Sequence, residues 1–171
     1  MKIQSVDDQD QLIGVKERTN TDYGSEIYRV SALWLVNSKG QTLLAKRAAV
    51  KDKDPGKWGP AVAGTINEGE TYDDNIYKEA TEEIGLEGEE FTKGLKIHVT
   101  YPRNYFCKWY FVKLDRDTDS LTMQADEVDA LEWVDIEQMK QELRSKPDKY
   151  VPAMKQIIDK LSIRPKGSGT K

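Results

Sequence analysis

Three observations predict an α+β domain in which helices pack against a mixed β-sheet. Several β-branched and aromatic runs are separated by turn residues, one long mid-chain segment has helical period, and two more helical segments gather near the C-terminus. At 171 residues the chain has room for a single core and not for two full domains, so residues 1–165 are assigned to one domain. Residues 166–171, KGSGTK, have nothing to bury and read as a flexible tail.

Residues 3–6 and 12–15 flank Asp7-Asp8-Gln9-Asp10, a polar cluster suited to a turn, which predicts an N-terminal hairpin over 3–15. Residues 18–25 read as loop. Ile27–Val36 is apolar enough to be a central strand, and Ser38-Lys39-Gly40 joins it to a strand over 42–46 as a second hairpin. Residues 48–60 hold two prolines, two glycines and alternating charge without a sustained period. They read as a long loop, a place where compact domains often carry function. A short strand over 61–63 runs into Gly64.

Tyr72, Ile76, Ala80 and Ile84 stand four apart, the spacing of one helix face, and Gly85 is placed to stop that helix. Residues 91–100 and 105–114 bracket Tyr101-Pro102-Arg103-Asn104 as a third hairpin, and 130–134 form one more strand. Asp135 or a neighbour caps a helix to about Arg144, and Pro147-Asp148 opens a last helix to about Leu161.

Charge and composition exclude several classes of function. Twenty-six Lys and Arg stand against 30 Asp and Glu, a net charge of -4, so no whole-protein field draws the chain onto a nucleic-acid polymer or an anionic bilayer. A phosphate ligand then has to be gripped locally or through a cation. One cysteine, Cys107, excludes an intramolecular disulfide framework and a Cys-rich zinc site, and one histidine, His98, leaves too few ligands for a His-based metal site. A hard metal would be held by carboxylates. No stretch approaches the roughly 18 apolar residues of a membrane span and the N-terminus lacks the apolar core of a signal peptide, so a cytoplasmic protein is expected. Oligomeric state is left open.

Residues 64–86 carry the chemistry. Glu79, Glu82 and Glu83 stand at i, i+3 and i+4, inside an arc of about 100° on one helix face. Like charges at that spacing repel by a few tenths of a kcal/mol per pair. A divalent cation would offset this, since Mg²⁺ takes oxygen ligands and commonly links a carboxylate or two to substrate phosphates. The acidic arc lies beside the apolar face, at the edge of the core. Gly69 and Glu70 allow a sharp turn before the helix, and Glu70, Thr71, Asp73 and Asp74 complement the positive end of its dipole. Taken alone, the three glutamates also fit a solvated helix face.

The segment resembles the Nudix box, G-x5-E-x7-R-E-U-x-E-E-x-G-U with U a bulky aliphatic residue. Gly64, Glu70, Glu79, Glu82, Glu83, Gly85 and Leu86 match it. Lys78 stands where the family has Arg, and Ala80 is small where U is usually Ile, Leu or Val. Lys keeps the charge but lacks the planar fork that holds a carboxylate bidentately, which bears on rate more than on identity. The resemblance implies an α/β/α sandwich around a mixed central sheet and Mg²⁺- or Mn²⁺-dependent hydrolysis of a diphosphate linked to another group, often a nucleoside. It implies Glu79, Glu82 and Glu83 as catalytic metal ligands, the Gly64 carbonyl as a further ligand, and Glu70 with Lys78 as support. Metal ions neutralise diphosphate oxygens and lower the pKa of a water that attacks phosphorus in line. That water needs a base, supplied in the family by a box glutamate or one from a later loop. Asp126 and Glu127 are the later candidates, an acidic surface turn being the alternative.

Residues 5–134 also resemble isopentenyl-diphosphate isomerases and the Nudix hydrolases most similar to them. Those isomerases carry a cysteine and a metal-binding histidine around the glycine matching Gly64, where this chain has Ala63 and Thr65, and they need further histidines and glutamates that are absent here. Protonating and deprotonating an alkene needs those groups, so isomerisation is not expected. Arg47 and Lys51 fall where the isomerases hold substrate phosphates, and a guanidinium with a nearby ammonium suits a diphosphate, although surface cations also serve simply as solvated charges. Trp58, Tyr101, Tyr105 and Trp109 suit base stacking or sheet packing, and His98 reads as structural. The expected protein is a Mg²⁺-dependent hydrolase acting on a nucleoside di- or triphosphate or a nucleoside diphosphate derivative. The alternatives are a non-catalytic nucleotide-binding module and, behind it, an isomerase.

Overall fold

β3 (Ile27–Val36) is the strand around which the others are placed, in a computed structural model that describes residues 1–161. The expected domain end at 165 and the tail over 166–171 lie outside the described residues. Along one edge β3 runs parallel to β8 (Tyr105–Lys113), with Tyr28 opposite Tyr105 and Val36 opposite Lys113. Its other edge takes β1 (Lys2–Val6) and then β6 (Val62–Thr65), both antiparallel, with Ser31 opposite Gly64. β2 (Leu12–Glu17) extends the sheet beyond β1 as the expected N-terminal hairpin, and β7 (Thr92–Val99) extends it beyond β8.

The second expected hairpin forms only at its turn. β4 (Gln41–Arg47) meets β3 at one register pair, Val36 with Thr42, because β6 already occupies that edge of β3 from Val30 to Leu33. β4 therefore turns away and builds an antiparallel patch with β5 (Trp58–Pro60) and β9 (Val128–Asp135). β5 lies in the stretch read from sequence as loop. Its Gly59 and Pro60 hide any alternation, and a proline is tolerated there because β5 ends the β4 side of the sheet.

Side-chain alternation on β3 and β8 separates two cores. Leu33, Leu35, Tyr110 and Val112 face α1 (Tyr72–Ile84), which contributes Ile76, Ala80 and Ile84. Ala32, Trp34, Cys107 and Trp109 face α2 (Ile136–Ser145) and α3 (Met154–Leu161), through Met139, Leu143, Met154 and Ile157. The result is the expected α/β/α sandwich. Among the described residues no helix is long and apolar enough to cross a membrane.

α1 has the bounds its spacing predicts. The Thr71 side chain accepts from the Asp74 N–H at 3.1 Å while the Asp74 carboxylate accepts from the Thr71 N–H at 2.9 Å, a reciprocal cap. Gly85 ends the helix at φ +64, and the N–H of Leu86 returns to the Ala80 carbonyl at 2.9 Å. The last helix starts later than expected. Residues 147–149 form only a single tight turn, Tyr150 is extended, and Val151 precedes Pro152, a position where the helical region is disfavoured; the Val151 N–H bonds the Trp58 carbonyl at 2.8 Å. This detour brings residues 151–153 alongside β5.

The turn of the N-terminal hairpin is tied to the sandwich by Asp10, which is 5% exposed. Its carboxylate accepts from Arg29 Nε at 2.7 Å, from Tyr72 Oη at 3.1 Å, and from Lys96. Burial alone would raise its pKa, but the bonds from Lys96 and Arg29 hold it below the usual aspartate range. A carboxylate with a lowered folded pKa contributes stability above its unfolded pKa and loses it as pH falls below. Asp10→Asn should therefore cost about 3 kcal/mol at pH 7, toward the low end for a broken buried pair because Lys96 keeps some hydration. In urea unfolding the gap between variant and wild type should narrow steadily below about pH 4.

Candidate active site

A cavity of about 220 Å³ opens where β6 passes α1, bordered by the loop after β4, the turn at 102–103 and the detour at 151–153. Its lining carries charge of both signs. Asp54, Glu79, Glu83 and Glu127 supply carboxylates; Arg18, Arg47, Lys51, Lys53 and Arg103 supply cations. The rest is largely apolar, with Val30, Ala32, Cys107, Trp109 and Ile157 among its lining residues.

The acidic wall depends on a missing side chain. A Cβ on Gly64 would lie 2.3 Å from both Cγ and Cδ of Glu79 and 2.5 Å from its Oε1. Glu79 can lie across β6 only because residue 64 has no Cβ, which gives the first glycine of the motif its physical reason. Glu83, one turn further on, is 9% exposed, and its Oε2 accepts from the Ala63 N–H at 3.1 Å. Burial pushes the Glu83 carboxyl up to about 8, with further repulsion from Glu79 and Glu127. Burial likewise raises Glu79, against the pull of Lys78 and with added repulsion from Glu82.

Behind this wall lies a polar network. Asn75 is fully buried on α1; its Nδ2 reaches Glu79 Oε1 at 3.2 Å, Glu70 Oε2 at 3.0 Å and the Thr65 carbonyl at 3.2 Å, while its Oδ1 accepts from Ser31 Oγ at 2.6 Å. Lys78 donates to Glu70 at 2.5 Å and stands 3.4 Å from Glu79. Glu70 also accepts from the Asn67 N–H at 2.9 Å. Although burial opposes it, the bond from Lys78 holds the Glu70 carboxyl below its usual range. Glu70 and Lys78 thus brace Glu79 and do not line the cavity. Sequence reading missed Asn75 and Ser31. The available signal was the four-residue spacing of Asn75, Glu79 and Glu83, a polar stripe set beside the apolar one.

The remaining candidates are placed unevenly. Glu82 is solvent-exposed and does not line the cavity, and Asp126 is exposed. Glu127 does line it, but Lys51 Nζ sits 2.6 Å from both of its oxygens, so the lysine expected to hold phosphate is engaged by the later-loop carboxylate. Arg47 Nε bonds the Lys53 carbonyl at 2.9 Å. Of the aromatic candidates, Tyr105 and Trp109 line the cavity, while Trp58 and Tyr101 do not. The Trp109 Nε1–H is buried and has no hydrogen-bond partner among the described residues. His98 is exposed, stacked on Phe106 at 4.2 Å and 2.7 Å from Asn104 Oδ1.

Among the described residues no three His, Cys, Asp or Glu side chains converge as a ready-formed ion site. The donor chemistry of Glu79 and Glu83 nonetheless fits a hard cation. Two neighbouring carboxylates are held out of water, each pushed toward its neutral form, and a bound divalent cation would remove that penalty.

A family model described as the NUDIX domain matches residues 27–161. A prenyl-diphosphate phosphatase from Methanosarcina mazei is 28% identical over 161 residues, covering 93% of this chain and 94% of its own. An isopentenyl-diphosphate Delta-isomerase 2 from Photorhabdus laumondii is 26% identical over 161 residues, covering 93% and 91%. Among solved structures, one Deinococcus radiodurans protein, 19% identical, superposes with a TM-score of 0.83 over 94% of this chain and 98% of its own, and so shares the fold.

The state of Glu83 can be read from stability. With chelator present, stability should fall as pH rises from about 4.5 to about 8, because the folded protein keeps a proton that the unfolded chain releases. The slope is bounded by roughly 1.4 kcal/mol per pH unit. Urea unfolding across that range should show this slope in wild type and a flatter one in Glu83→Gln.

Proposed function

The chain belongs to the NUDIX family, and from that premise we propose that it is a divalent-metal-dependent hydrolase that cleaves the diphosphate linkage of a small organic diphosphate. The observation that carries this reading is the single cavity in which the buried Glu79–Glu83 pair, a cationic wall and an apolar patch meet. Anion grip, oxygen ligands for a hard cation and a dry surface for an organic group are then available at once.

A cation of the Mg²⁺ or Mn²⁺ kind, when bound, neutralises phosphate oxygens and lowers the pKa of water. Glu79 and Glu83 would hold it, with the Gly64 carbonyl and, after a rotamer change, Glu82. Arg47 orients the diphosphate from the cationic side. Glu127 receives the proton of the attacking water, while Lys51, bonded to both its oxygens, fixes the carboxylate's direction. Asn75, Glu70 and Lys78 hold Glu79 in place.

For the organic group, the apolar lining of Val30, Ala32 and Ile157 favours a hydrocarbon of prenyl type, in keeping with the activity named for the Methanosarcina relative. A nucleoside is the second reading. It is favoured by the unpartnered Trp109 N–H and by the adjacent Tyr28 and Tyr105 rings, 5.3 Å apart, which offer a donor and faces for a base. The absence of Cys and His at Ala63 and Thr65 weighs against isomerisation.

A panel of prenyl diphosphates, nucleoside di- and triphosphates and nucleotide sugars, incubated with Mg²⁺ or Mn²⁺, should show turnover, with prenyl diphosphates ahead. A folded protein inert on every member would instead be a binding module. Glu83→Gln and Gly64→Ala should each lower kcat by at least about 10²-fold with the fold intact, and Glu127→Gln by about 10²- to 10⁴-fold, the range for loss of a general base.

A further inference from the structure

The cationic wall is larger than one phosphate grip at Arg47 requires. Lys51 is committed to Glu127, which leaves Arg18, Arg47, Lys53 and Arg103. Among these, Arg103 Nη2 pairs with Asp54 Oδ2 at 2.7 Å. Lys53 is half-buried, its ammonium 2.8 Å from the centre of the Tyr23 ring, itself part of the cavity wall. Burial, and then the charges of Arg103, Arg18 and Arg47, push the Lys53 ammonium down to about 8. Asp54, which itself lines the cavity, answers one of these four cations, and an anion would offset the positive charge that remains.

Two features hold this group together. Arg47 lines the same cavity, and its Nε bonds the Lys53 carbonyl at 2.9 Å, which ties it to the loop carrying Lys53. Asp54 has φ +52, a conformation L side chains rarely adopt, and its bond to Arg103 ties the loop carrying Lys53 to the turn over 101–104. Lys53 and Arg103 are thereby pre-positioned from two separate loops, as a receptor must be if it is to lose little freedom on binding.

We infer that Lys53 and Arg103, with Arg18 beside them and Arg47 tied to the loop carrying Lys53, form a receptor for a terminal, doubly charged phosphate group, separate from the Glu79–Glu83 pair. Several donors converging from different directions suit the three terminal oxygens of a phosphate better than the two of a carboxylate. The inference rests on the hydrolytic reading in one respect: it makes the substrate a molecule whose phosphate end lies under Lys53 and whose organic end lies along the apolar lining. Lys53 then acts on affinity, not on the chemical step.

The test is calorimetric titration of inorganic pyrophosphate into the full chain with chelator present, so that no divalent cation contributes. Wild type and Glu83→Gln should bind with similar affinity, Lys53→Met and Arg103→Met should each bind at least tenfold more weakly, and Lys53→Arg should recover most of the loss. On any substrate that turns over, Lys53→Met should raise KM at least tenfold with kcat within about threefold. Should Arg103→Met fail to fold through loss of its Asp54 partner, the two Lys53 variants decide the matter. Pyrophosphate binding that Lys53→Met leaves unchanged, or no binding in wild type, overturns the receptor even if hydrolysis is observed. Lys53-dependent binding without turnover on any substrate supports the receptor and refutes the hydrolytic reading instead.

Discussion

The space left by the absent side chain of Gly64 is what the rest of the site depends on. Ser31 opposite Gly64 fixes the register of β6 against β3, and that register sets the bare backbone of residue 64 under α1 at the height of Glu79. The reciprocal cap at Thr71 and Asp74 fixes where α1 starts, and Asn75, bonded to Ser31 and to the Thr65 carbonyl, locks the helix to the two strands. The result is a buried pair of carboxylates on one wall of a cavity. A helix shifted by one residue would move every one of those side chains by about 100°.

Burial penalises the charged groups that line the cavity. It raises the proton affinity of both Glu79 and Glu83, the charge of Glu79 raises that of Glu83 further, and burial with the charges of Arg103, Arg18 and Arg47 lowers that of Lys53. Carboxylates and cations lining one cavity fit a ligand that brings a divalent cation together with phosphate oxygens. Lys78 moderates the arrangement. It bonds Glu70 and approaches Glu79 as a point charge, so it supplies the brace expected of an arginine without a bidentate fork.

Much of this was legible in the sequence, for local reasons. The α1 bounds, the N-terminal hairpin and the central role of β3 follow from spacing and capping chemistry that neighbouring residues determine, and the glutamate spacing follows from the helix period. What escaped depends on contacts between distant segments. The split between β3 and β4 arises because β6 has taken the edge of β3, and β5 is a strand because β4 pairs with it despite Gly59 and Pro60. Lys51 looked like a phosphate ligand until Glu127, 76 positions away, met it. Lys53 and Arg103 acquire meaning only when the bond between Asp54 and Arg103, 49 positions apart, brings a loop and a turn to the same cavity.

On the reading proposed above, Glu79 and Glu83 share a hard cation that Glu83 accepts only by giving up its proton. This is tested most directly by titrating Mg²⁺ and Mn²⁺ into the protein at pH 7 in buffers of different ionisation heat, which counts protons released per ion bound. Uptake of a cation with release of close to one proton, abolished by Glu83→Gln, is the expected result. No uptake, or uptake without proton release that survives Glu83→Gln, would contradict the account.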